Sequence, residues 1–167
     1  MDENTYMAER NRILEEINTT FNGVSLRDGV GFYEAHALDD YADSKHLLQA
    51  RNRDRQSKRW QDLDIDLVQN LDTALTFTDR DGFYFLFPAF MVLCLKQKYG
   101  GEEIADFLED MRRKQDPRIN GFSEKQKRTI AHCLQFIAEV DDWQFADYPQ
   151  FHDAKTALNE YWGQFLK

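Results

Sequence analysis

Apolar residues recur every three or four positions along nearly the whole chain. Tyr6, Ile13, Leu14, Ile17 and Phe21 trace one stripe, the spacing that lays side chains on one face of a helix. Asn22-Gly23 follows as a stop signal. A second helix is predicted from about Gly31 to Asp43, and Trp60, Leu63, Leu67, Leu71 and Ala74 line up on a third. "TDRDG", residues 78–82, has the composition of a turn. A strongly apolar helix comes next, in which Pro88 either opens a new segment or kinks the old one.

Gly100-Gly101 ends that element, and Ile104, Phe107, Leu108 and Met111 form the face of another. "QDPRING" is loop, and Ser123 with Gln126 has the form of a capping box ahead of Ile130, Cys133, Leu134 and Ile137. After the connector "DDWQFADYP", a last helix is predicted along Phe151, Ala154, Leu158, Tyr161, Trp162 and Phe165. "DLDID" alternates as a strand would, but its flanks fit a helix better. The pattern predicts an all-α, compact single-domain bundle, residues 1–167, of six or seven helices around a central aromatic-rich helix.

Composition supports a real core. Hydrophobic residues make up 42% and aromatic residues 14%, too much for a disordered chain even with 31% charged. A chain of 167 residues suits one domain. Cys94 and Cys133 both fall inside apolar helical patterns, form no CxxC, and are expected as reduced core residues. The start of the chain has no apolar signal-like run, and no stretch approaches the roughly 20 apolar residues of a membrane span. A cytoplasmic location without a membrane role is therefore expected.

Thirty acidic against twenty-one basic residues leave a net charge of −9. Phosphate backbones repel such a surface, which argues against nucleic acid. Surplus acid serves solubility, or it meets a basic protein partner and speeds association. In "EAHALDDYAD", a helix would place His36, Asp39, Asp40 and Asp43 on one face, where like charges repel. His36 and Asp40 at i, i+4 could chelate a divalent ion, but further ligands would have to come from His46, His132 or Glu34. Nearer at hand is the basic segment "RNRDRQSKR". Arg51, Arg53 and Arg55 could fold back and pair with Asp39 and Asp40.

Other chemistry is weakly signalled. Asp62, Asp64 and Asp66 match the opening of a calcium loop, yet Leu67 and Thr73 stand where the Gly and the bidentate Glu are required. The chain has no HExxH, GxSxG, GxGxxG or Walker loop. Cys133 beside His132 is no nucleophile–base pair by adjacency, since helix neighbours point about 100° apart. No cofactor is implied.

"DGFYFLFPAFMVLCL", preceded by "RWQDLDIDLVQNL" and followed by "FSEKQKRTIAHCLQFI", resembles a bacterial domain family of unassigned activity. Its members carry a Gly-Phe-x-Phe-Tyr-Leu-Pro-Ala-Tyr-like box, in which this chain has Phe87 where Tyr is common. Glu34, Ala35, Asp39 or Asp40, Tyr41, Arg51 and Asp54 match an upstream acidic and Arg/Asp stretch of that family. The resemblance covers roughly residues 24–140 and implies no particular reaction. In size, acidity and helical content the chain is also similar to small bacterial immunity proteins.

The function expected from these features is a non-enzymatic, protein-binding module, of immunity or antitoxin type, for a basic partner. Its surface would include Asp39, Asp40, Asp43, Asp62, Asp64 and Asp66, with Trp143 or Tyr148 as an aromatic anchor. The alternative is a metal- or carboxylate-dependent enzyme built from Glu34, His36, Asp40, Arg51 and Asp54.

Overall fold

Polar side chains at helix starts set the boundaries of several elements in the computed structural model, which describes residues 2–63, 71–96, 102–144 and 153–167, without the side chains of 72 and 141–144. Among the described residues the order is α1 (Glu3–Thr20), α2 (Phe32–Asp39), α3 (Ser44–Asp54), a 3-10 turn (Trp60–Asp62), α4 (Leu71–Phe77) and α5 (Arg80–Lys96). There follow α6 (Glu102–Arg113), a 3-10 turn (Pro117–Gly121), α7 (Glu124–Gln144), α8 (Asp153–Glu160) and a closing 3-10 turn (Trp162–Leu166). The all-helical class holds. The chain groups into two units, Met1–Phe21 with Cys94–Lys167 and Asn22–Leu93, the division falling inside α5.

In the first unit, Asp2 accepts the Thr5 amide at 2.9 Å and caps α1. Tyr6, Ile13, Ile17 and Phe21 are buried, as their spacing predicts. Each such side chain removed from water contributes about 1.5–3 kcal/mol. Tyr6 packs on Phe136 of α7 with centroids 5.6 Å apart, and Phe21 meets Phe122 edge-on. Ser123 and Gln126 form the capping box in both directions, 2.9 and 3.3 Å. Glu16 ties α1 to α7 by accepting from Thr129 Oγ1 at 3.0 Å and lying 2.9 Å from His132 Nδ1. Cys94 and Cys133 are both buried, and burial pushes the Cys133 thiol up to about 12.

In the second unit, Asp79 Oδ1 accepts from Gly82 N at 2.9 Å, capping α5, and from Val30 N at 3.0 Å. A Cβ on Gly82 would lie 1.9 Å from the Val30 carbonyl oxygen, so this close approach requires glycine. Phe83, Phe85, Leu86 and Phe87 are buried, which makes α5 the aromatic-rich helix the sequence predicts. Among the described residues, no helix is long and apolar enough to cross a membrane.

Element boundaries differ from the expectation in several places. Helix 31–43 stops at Asp39, and residues 44–54 form a further helix. "TDRDG" turns only at 78–79, because Asp79 caps α5 and draws Gly82 inside it. Pro88 lies within that same continuous helix. The helix expected along Trp60 to Ala74 is interrupted: Arg59 and Asp62 cap a 3-10 turn, and Leu63 is extended. The last stripe breaks at Tyr161, whose φ of −148° leaves the helical region before the closing turn. Leu67 and Phe151 lie outside the described residues.

Candidate functional site

Helices α2 and α3 form a hairpin held by ionic contacts at its base. Asp43 starts α3 by accepting the His46 amide at 2.9 Å, and its carboxylate also meets His46 Nδ1 at 2.8 Å. These contacts, the amide first, hold the Asp43 carboxyl below the usual carboxylate range. Asp54, at the far end of α3, reaches back to the first turn of α2 and accepts from Tyr33 N at 2.9 Å and Glu34 N at 2.8 Å. It thereby satisfies amides that the helix leaves without an internal partner. Asp54 is only 3% exposed, and burial pushes its carboxyl up although both amides pull the other way. A Cβ on Gly31 would lie 2.3 Å from Asp54 Cγ, so glycine is required there too.

Glu34 is equally buried, and Arg51 neutralises it. Arg51 donates from Nε to both carboxylate oxygens at 3.0 Å and from Nη2 to Oε1. The contact with Glu34 raises the Arg51 pKa. Arg55 Nη2 donates to Asp28 Oδ1 at 3.2 Å, and the Arg53 guanidinium lies 3.6 Å over the Tyr33 ring. The basic segment therefore does fold back on the acidic one, but onto different acids than expected. Arg51 and Arg55 stand one helical turn apart and face the hairpin base, where Glu34 and Asp28 lie. Asp39 and Asp40 sit at its other end. Among the described residues, neither Asp39 nor Asp40 forms an ion pair.

The acidic face itself is divided. Asp39 ends α2, Asp40 is its C-cap, and Asp43 caps the next helix, so the helical spacing to His36 does not extend to Asp43. Between them Tyr41 adopts a left-handed backbone, φ 53°, and is 95% exposed. Leu48 on α3 is 58% exposed, and Leu38 at the end of α2 is also solvent-facing.

Beside this tip runs a groove of about 440 Å³. Tyr33, His36 and Asp40 line it from α2 and its cap, and His46, Gln49 and Arg53 from α3. Ala37, Ala42 and Ala50 leave room between them. The His36 ring packs edge-on to Phe32 with centroids 4.5 Å apart, and its buried Nε2 has no hydrogen-bond partner among the described residues.

The residues of the enzyme alternative are thus split. Glu34, Arg51 and Asp54 come together as a buried network, while His36 and Asp40 line the groove. No group of three or more His, Cys, Asp or Glu among the described residues is placed to hold a metal ion. Asp62 is engaged with Arg59 at 2.6 Å, which lowers its pKa. Asp64 and Asp66 lie outside the described residues, as do Tyr148 and the Trp143 side chain.

The model of the family of unknown function DUF6714 matches residues 9–166. The chain belongs to this family. No curated protein and no solved structure matches it. What this DUF6714 chain offers chemically is a carboxylate-bearing groove next to exposed apolar side chains. Sequence reasoning named Tyr41 only through the family resemblance, because a helix across 31–43 hides the turn that exposes it, and it missed Leu48 because no helix was expected over 44–54.

Proposed function

We propose that the protein is a non-enzymatic binding module whose α2–α3 hairpin receives a basic protein partner, in the manner of an immunity or antitoxin protein. Tyr41 carries this reading. A tyrosine 95% exposed gains nothing from packing, and its left-handed backbone costs about 1 kcal/mol. The left-handed residue closes α2, with Ala42 N donating to the Ala37 carbonyl at 2.9 Å, so it is the exposure of the ring that supports the reading. Along the chain Tyr41 follows Leu38, Asp39 and Asp40 and precedes Asp43, and Leu48 is a further exposed apolar side chain on α3. Aromatic and apolar anchors ringed by charge are the usual composition of an interface centre and rim. The net charge of −9 supports a partner of opposite sign.

The test is capture of partners from the native host on immobilised wild-type protein and on Tyr41→Ala/Leu48→Ala protein, at low and then high salt. A basic protein retained by the wild type, lost from the variant and weakened by salt is the expected result. Retention by both proteins alike, or no basic protein at either salt, overturns the proposal.

A further inference from the structure

The hairpin groove has a lining that narrows what part of a basic partner it can take. Asp40 is its single carboxylate and forms no ion pair among the described residues. His36 and His46 add imidazoles to the lining, the His46 ring also meeting Asp43 at 2.8 Å, and Ala37, Ala42 and Ala50 keep the space open. A planar guanidinium suits these features better than an ammonium: it bonds a carboxylate through two N–H groups and stacks on flat rings.

Arg53 is the second charge in the lining, and it defines the opposite end. Its guanidinium is held over Tyr33 at 3.6 Å, and it donates no hydrogen bond among the described residues. A second cation beside it would be repelled, whereas main-chain carbonyls of an incoming segment would be accepted as bonding partners. The groove thus matches one cationic side chain at Asp40 and the polar backbone that carries it at Arg53.

We infer that the α2–α3 groove is a receptor for a single arginine side chain of the partner protein, with Asp40 taking the guanidinium and Arg53 the adjoining backbone carbonyls. The inference rests on the binding function proposed above.

Titration of isotope-labelled protein with N-acetyl-arginine-N-methylamide, followed by NMR, tests it. N-acetyl-lysine-N-methylamide and free arginine form parallel arms. Saturable shifts at Tyr33, His36, Asp40, His46 and Arg53, at least fivefold tighter for the capped arginine than for the capped lysine, are expected. Asp40→Asn weakens binding at least tenfold, and Ala50→Leu abolishes it by filling the groove. No saturable shift, or equal binding by Asp40→Asn, overturns the inference. Free arginine binding ten times tighter than the capped form also overturns it, since that marks an amino-acid pocket. Capped-arginine binding without any basic host partner removes the function proposed above and leaves this receptor standing. A host partner held equally by wild type and Asp40→Asn does the reverse.

Discussion

Asp54 and Gly31 show how closely single residues determine the hairpin. Two backbone amides end on the Asp54 carboxylate, and the space in which it lies exists because residue 31 has no side chain. Asp54→Ala leaves both amides without their acceptor in a buried place, at a cost of about 1–3 kcal/mol. Gly31→Ala drives a methyl group into Asp54 Cγ and is expected to cost at least as much, which thermal unfolding of both variants will measure. Tyr41 behaves in the opposite sense. Tyr41→Gly relieves the left-handed strain and gives up no packing, so it is expected to raise stability by about 0.5–1 kcal/mol in denaturant unfolding. The same variant should bind the partner more weakly. Gain in stability with loss of binding is the mark of a residue kept for recognition.

At the scale of elements, α6 and α8 carry a pH dependence. Asp106 on α6 is pushed up to about 6, by burial first and then by its hydrogen bond and charge repulsion with Asp153 at the start of α8. A carboxyl whose folded pKa is raised binds its proton more tightly in the folded state. Its contribution is therefore complete below the ordinary carboxylate range and is lost as pH rises through about 6. Melting temperature should fall as pH rises from 5 to 7, and Asp106→Asn should flatten that slope and raise the value at neutral pH. Solvent on the outer side of Asp106 screens the effect to no more than about 1 kcal/mol.

Element boundaries also show where periodicity succeeds. The stripes of α1, α6 and α7 were legible because their buried faces are apolar. Helix α3 was not, because its buried residue is Asp54 and its neighbour contacts are ionic. A helix held by carboxylates and arginines has no hydrophobic period to read.

For the whole molecule, the surplus of nine negative charges sets the reach of its field. Association with a basic partner should slow by about tenfold or more between low and high salt, while dissociation changes less. Stopped-flow kinetics across a salt series checks this.

The sequence by itself determined the helical class, the burial of the aromatic run in α5, the capping box at Ser123 and the acidity of the surface. Each depends on neighbours within a turn or two, or on a plain sum over residues. Only the tertiary structure decided which acids the arginines engage, which left Asp39 and Asp40 at the open end and Tyr41 in solvent. Those outcomes depend on where α2 stops and how α3 folds back, and a carboxylate gives no sign in sequence of which guanidinium will reach it.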